Sequence, residues 1–96
     1  MAIRIKPYFA LRRVMGNQQF IEIDSDSTTL EDLLGQLFVR FGPEFSAMFL
    51  DAETGAISPN IKILVNGRHY RTLPNQLKTL LTSGDEISLF PPIAGG

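Results

Sequence analysis

Between Thr28 and Phe41 the chain carries one long amphipathic stripe, and this segment restricts the possible folds more than any other. Leu30, Leu33, Leu34, Leu37, Phe38 and Phe41 fall at i, i+3, i+4, i+7, i+8 and i+11, so all six lie along one side of an α-helix. Thr28 and Glu31 stand at the T-x-x-E spacing of a capping box, in which the threonine oxygen accepts from a first-turn N–H and the glutamate reaches back. Gly42-Pro43 ends the helix. Gly35 falls outside the stripe and costs about 1 kcal/mol relative to alanine. Phe45, Met48 and Phe49 repeat the helical spacing over one further turn, and an aromatic stripe of this period reads as core, not as a cofactor box. Such a stripe has to be covered, and the rest of the chain supplies strands to cover it.

The N-terminal Ile3 and Ile5 alternate with Arg4 and Lys6, the period of a strand with one face buried and one wet. Pro7 cannot donate to a ladder, which predicts a site where its nitrogen points away from a neighbouring strand, or a bulge. Tyr8-Phe9-Ala10-Leu11 continues the apolar run until Arg12-Arg13 and Met15-Gly16-Asn17 break it. Gln19 to Asp24 reads as a second strand, antiparallel to the first because the connection is short. After the helices, Asp51 to Asn60 reads as a surface loop, Ile61 to Val65 as a strand, and Asn66-Gly67 as a type I′ hairpin turn returning through Arg68-His69-Tyr70. Leu77, Leu80 and Leu81 suggest a short helical turn, and Ser83-Gly84-Asp85 turns the chain into a last strand, Glu86 to Phe90. The order strand, strand, helix, strand, strand, strand is that of an α+β two-layer domain, a mixed sheet of about five strands with one main helix on one face.

Composition narrows the chemistry. A net charge of -1 over 96 residues lacks the basic excess that neutralises a phosphate backbone or an anionic membrane surface, so neither nucleic acid nor membrane is expected as a partner. The absence of cysteine removes disulfides, thiolate metal sites and cysteine nucleophiles together. His69, the single histidine, follows the Asn66-Gly67 turn with no nucleophile arrangement and reads as a solvent-facing hairpin residue. Asp51, Glu53, Asp85 and Glu86 sit near turns and strand starts, where capping and solvation explain them, and no metal is called for. With neither a signal-peptide pattern nor an apolar run long enough to span a bilayer, the expected location is cytoplasmic.

What remains is the tail. The sequence closes on Pro91-Pro92-Ile93-Ala94-Gly95-Gly96, and a final glycine presents its carboxylate with no Cβ beside it, so that another protein's active site can close around the backbone. Strand parity places a set of aromatics near its root. If Ile3, Ile5, Ile21, Ile23, Ile87 and Leu89 face the helix, Tyr8, Phe20 and Phe90 face away from it and form an apolar patch on the open sheet face, a candidate docking surface rimmed by Arg4, Lys6 and Glu22.

These residues carry a family likeness. Leu64-Val65-Asn66-Gly67, then Gly84-Asp85-Glu86-Ile87, then Leu89-Phe90-Pro91-Pro92-Ile93-Ala94-Gly95-Gly96, in this order of elements, resemble the ubiquitin-like sulfur carriers, most closely the branch of the molybdopterin synthase small subunit. The likeness runs over essentially the whole chain, including Phe9-Ala10-Leu11-Arg12 and Thr29-Leu30-Glu31-Asp32-Leu33-Leu34. It implies a β-grasp domain over residues 1–90, with the first and last strands parallel at the sheet centre, and an extended tail over 91–96. It also implies a chain that is not catalytic alone and binds no cofactor itself. A ubiquitin-activating-type enzyme adenylates the Gly96 carboxylate with ATP, a sulfur donor protein converts it to a thiocarboxylate, and the sulfur passes to a pterin in the large subunit, in a heterotetramer. Activation is needed because an α-carboxylate, with a pKa near 3.5, is ionised and a poor electrophile at neutral pH. Pro91-Pro92 sends the chain out stiffly, Pro92, Ile93, Ala94 and Gly95 thread into the partner, and Pro92 to Gly96 fully extended spans roughly 16 to 18 Å. Alternatives that share the tail are a thiazole-pathway carrier, against which the long Phe45 to Asn60 segment counts, and a protein modifier joined to lysine through Gly96. A β-grasp interaction module would have no use for the terminus.

Overall fold

Two strands from opposite ends of the chain, β1 (Ala2–Pro7) and β7 (Glu86–Phe90), lie parallel at the heart of the sheet, with Ile5 opposite Ile87 and Pro7 opposite Leu89. The computed structural model describes residues 2–24 and 27–92, so Ile93, Ala94, Gly95 and Gly96 lie outside the described residues. On the far side of β1 runs antiparallel β2 (Ile21–Asp24); on the far side of β7 runs antiparallel β4 (Lys62–Val65), followed by β5 (Arg68–His69). The order β2-β1-β7-β4-β5, with a helix packed across one face, is the β-grasp arrangement. A second, two-stranded sheet pairs β3 (Ser27–Thr29) with β6 (Leu80–Thr82).

The inward parity of the strands agrees with expectation. Ile3, Ile5, Ile21, Ile23, Ile63, Val65, Ile87 and Leu89 are buried against Leu30, Leu33, Leu34 and Leu37 of α2 (Leu30–Phe41) and against Phe45 and Phe49 of α3 (Pro43–Phe49). Phe38 and Phe41, at the edge of the stripe, are half-buried and close an aromatic cluster with Phe45, at 5.7 Å between ring centroids in each case. Pro7 also sits where a missing N–H does no harm. The N–H groups of Arg4 and Tyr8 donate to the Asp85 and Leu89 carbonyls, so by alternation the Pro7 nitrogen turns toward β2, which starts only at Ile21, the partner of Ile5.

Four local readings are corrected. The helix cap is Thr29, whose hydroxyl oxygen accepts from the Asp32 N–H at 3.1 Å, in place of Thr28 with Glu31. Both threonines satisfy the spacing, and pairing of Thr28 with Leu81 in the small sheet holds Thr28 in extended backbone one residue too early to cap. A first N–H of α2 is met by tertiary structure as well, Leu30 N–H donating to the Thr79 carbonyl at 2.9 Å. Second, the apolar run after Tyr8, to which the sequence reading gave no element, is a short helix: α1 (Ala10–Val14) buries Leu11, and Met15 at its C-cap is buried as well. Leu11, Val14 and Met15 at i, i+3 and i+4, with Gly16 behind them at φ 86°, are the signal for it. Third, the predicted helical turn at Leu77–Leu81 shrinks to a 3-10 turn over Gln76–Lys78, and Leu80 and Leu81 enter β6, one outward at 61% exposure and one buried. Fourth, Tyr70 leaves the returning strand for a 3-10 turn, Tyr70–Thr72.

The helix interior carries one removable cost. A Cβ built on Gly35 meets nothing within 4 Å, and its φ is helical. Gly35→Ala is therefore expected to stabilise the domain by about 1 kcal/mol, read as a higher urea midpoint at unchanged m. A lower midpoint would mean that a partner atom occupies that space.

Candidate functional site at the root of the tail

The tail leaves from the end of β7, the strand bonded on both sides in the middle of the sheet. Leu89 is fully buried, its carbonyl accepts from Tyr8 N–H at 3.0 Å, Phe90 is opposite Lys62, Pro91 is buried and Pro92 is exposed. The last described residues are thus fixed to a rigid platform.

Parallel register then brings two of the three predicted aromatics together. Tyr8 continues β1 one residue past Pro7, opposite Phe90, and the two rings stack with centroids 4.3 Å apart and planes 8° from parallel. Both are half-buried, and Lys62 Nζ lies 5.8 Å from the Phe90 centroid. Phe20 is not part of this stack. It precedes β2, is 41% exposed, and lies under the Arg4 guanidinium at 4.3 Å, a cation–π contact that occupies one of its faces. Of the rim charges, Lys6 pairs with Glu86 at 3.8 Å, with both side chains too exposed for the pair to add much stability.

One neighbour of the tail root was not singled out from sequence as a docking residue. Phe9 stands between Tyr8 and α1 with φ 56° and ψ −130°, backbone that a bulky residue rarely adopts, and its ring is 69% exposed. Such a conformation stores about 1–3 kcal/mol and persists only where surrounding structure imposes it. Here the N–H of Tyr8 is bonded to β7 on one side and α1 begins on the other. The outcome is an aromatic ring facing water beside the tail. With Ala10, Arg13, Pro91 and Pro92 it lines an open hollow of about 410 Å³. Nothing in the local sequence marks Phe9, because an outward ring and an inward ring look alike in an apolar run.

Elsewhere the chemistry is sparse. His69 is half-buried, stacked on Tyr70 at 5.2 Å, and its Nδ1 accepts from the Arg71 N–H at 3.2 Å, so it caps a turn in place of facing solvent freely. Burial, then the cations of Arg71 and Lys62, lower its pKa from the ordinary histidine value, in keeping with a neutral ring that accepts at Nδ1. Among the described residues no three His, Asp or Glu side chains gather as a metal ion requires. No helix among them is long and apolar enough to cross a membrane.

Residues 8–96 match the family model described as the ThiS family. The chain belongs to the ThiS family. This ThiS-family chain is 38% identical to a candidate sulfur carrier protein of Archaeoglobus fulgidus over 80 residues, which cover 83% of this chain and 88% of that one. It is 29% identical to small archaeal modifier protein 3 of Haloferax volcanii over the full length of both. Its fold superposes with a TM-score of 0.80 on the solution structure of small archaeal modifier protein 1 from Methanosarcina acetivorans, at 26% identity, covering 99% of this chain and 96% of that one. The chain is thus a ubiquitin-like protein of the sulfur carrier and modifier class.

Proposed function

We propose that this ThiS-family chain is a sulfur carrier that works through Gly96. An activating enzyme uses ATP to form the acyl-adenylate at the Gly96 carboxylate. The terminal sulfur of a donor protein's persulfide attacks that carbonyl carbon and AMP leaves with the electrons of the C–O bond. A thiol then cleaves the S–S bond of the acyl disulfide, becoming a disulfide with the donor and releasing the thiocarboxylate, whose sulfur is the nucleophile. The acceptor we infer is the pterin precursor of molybdopterin, held by the large subunit of molybdopterin synthase, with two large and two small subunits in the assembly. Its support is the Phe90-Pro91-Pro92-Ile93-Ala94-Gly95-Gly96 stretch and its likeness to that subunit's tail.

The observation that carries the delivery role is the tail root. Phe90 ends the central strand stacked on Tyr8, and Pro91 after it is buried, a fixed root from which the tail can be driven into a partner's pocket. Tyr8, Phe90 and Phe9 supply apolar surface around that root, and Arg13 and Lys62 supply charge. Phe20, under Arg4, is an outlying contact of the same docking face.

A second reading is supported by the full-length match to the Haloferax modifier: the same adenylate is taken by a lysine amine on a target protein, leaving an isopeptide bond. Intact-mass measurement on protein recovered from its native cell separates the two. A terminal oxygen replaced by sulfur is the expected finding. Recovery of only free carboxylate and lysine-linked conjugates would transfer the assignment to the modifier reading. Thiolated chain mixed with the large subunit and the pterin precursor should then yield dithiolene, and failure there with intact thiocarboxylate would point to a different acceptor.

Phe90→Ala tests the docking face. An aromatic anchor at the centre of an interface typically costs more than 1 kcal/mol, so binding to the large subunit should weaken roughly tenfold or more. The domain should remain folded, since the lost stack with Tyr8 is worth about 0.5–1.5 kcal/mol beyond its area. Unchanged affinity by calorimetry would remove Phe90 from the interface.

A further inference from the structure

At the end of the sheet remote from the tail, Asn66 and Gly67 form the tip of the β4–β5 hairpin, both at positive φ, 51° and 87°. Asn-Gly is the sequence in which a backbone nitrogen most readily attacks the side-chain amide before it, because glycine has no Cβ to obstruct the approach. Both residues are exposed, so water reaches them. Yet the Asn66 amide is tied on both of its atoms. Oδ1 accepts from the Glu86 N–H at 2.9 Å, and Nδ2 donates to Asp85 Oδ1 at 3.1 Å. The backbone adds Asn66 N–H to the Glu86 carbonyl at 2.8 Å, and Asp85 is itself held, its Oδ2 accepting from Thr82 N–H at 2.8 Å. To reach the Gly67 nitrogen, Cγ of Asn66 has to swing off the start of β7, and that motion breaks both amide hydrogen bonds.

We propose that Asn66-Gly67 is a latent deamidation site, held shut by Asp85 and the Glu86 amide and reactive whenever the start of β7 releases the hairpin. In the open state the Gly67 nitrogen bonds to Asn66 Cγ, the Cγ–Nδ2 bond breaks, and ammonia leaves with the Gly67 amide proton, giving a cyclic imide. Water then opens the imide at either carbonyl, leaving aspartate or isoaspartate at position 66. No oxidant or cofactor is involved. The product cannot re-form the clamp as it was: the donor that faced Asp85 is now a carboxylate, and two like charges at hydrogen-bond distance repel. Modification therefore leaves the hairpin end without the clamp that Asn66 made to Asp85.

The test is a timed incubation of the full chain in mildly alkaline buffer, with peptide mass mapping of position 66 and circular dichroism to follow the fold. Native protein should deamidate more slowly than the same chain in urea by about tenfold or more, the factor that 1.4 kcal/mol of local opening imposes. Asp85→Ala should raise the native rate several-fold, whereas Asp85→Asn, which keeps an acceptor oxygen for Asn66, should stay near the parent. Equal rates for native and unfolded chains, or a folded Asp85→Ala variant with the parental rate, would overturn the proposal. Should Asp85→Ala not fold, exchange of the Asn66 side-chain amide protons in the unaltered chain decides: slower than at exposed Asn17, Asn60 and Asn75 supports the clamp, and equally fast rejects it.

Discussion

Deleting Gly95 and Gly96 is expected to abolish transfer through the terminus while leaving the domain as stable as before. Among the described residues the hydrophobic core runs from Ile3 to Leu89, and that core is the source of the stability expected to survive the deletion. The deletion still leaves a carboxylate, now on Ala94. It falls short by about 7 Å, two residues of extended chain, and carries a Cβ where the partner has to close around bare backbone. A displacement of 1 Å at a reacting centre can already cost roughly 100-fold, so a shortfall of this size should bring both adenylation and sulfur transfer below detection. The assay is thiocarboxylate formation with the activating enzyme of the same cell, followed by mass, with thermal unfolding as the control. Retained function in the shortened chain would mean an interaction module that makes no use of its end.

Phe45→Ala is expected to produce the largest loss of stability from a single side chain. Phe45 is fully buried, and its ring lies 4.7 Å from that of Phe49 and 5.7 Å from those of Phe38 and Phe41. Truncation removes the transfer free energy of the ring and leaves a cavity that three further aromatics cannot fill without leaving their rotamers. The cost for such a site is about 3–5 kcal/mol, set against a total stability of about 5–15 kcal/mol for a domain. A urea series should show the midpoint fall by that amount at constant m. A loss below about 1 kcal/mol would show that the cluster collapses around the gap. Phe45 touches neither Tyr8 nor Phe90 among its aromatic neighbours, so folded Phe45→Ala protein should still accept sulfur.

The Asn66 clamp and the Tyr8–Phe90 stack tie opposite ends of β7 to its neighbours. The first joins the β7 start to the hairpin from β4, and the second joins the β7 end to the continuation of β1. The strand that ends at Phe90 is thus secured at both ends by side chains as well as by its ladders.

Much of this was legible in the residues. The α2 stripe, the inward isoleucines and the Asn66-Gly67 turn follow from periods of 3.6 and 2 and from the positive φ that an asparagine-glycine pair accepts, all of which are properties of neighbours in the chain. Other features were beyond that reach. Parallel and antiparallel strands have the same side-chain alternation, so the β1–β7 pairing was implied only by family likeness, and the stack of Tyr8 on Phe90, which depends on its register, was not foreseen. The cap at Thr29 and the short β3 were hidden because Thr28 and Thr29 offer equivalent spacing, and the choice between them is made by β6, some fifty residues away. Phe9 was hidden for a related reason: whether a ring in an apolar run points in or out depends on backbone that β7 and α1 force upon it.

The sequence by itself determined that one apolar helix is covered by one sheet, since burial pattern is a local fact, and it is the source of the proposal that the chemistry of this ThiS-family chain belongs to Gly96. Only the tertiary structure decided where in the sheet that last strand lies and which rings surround its end. Those depend on hydrogen bonds between residues about eighty positions apart, and side-chain periodicity carries no record of a partner at that distance.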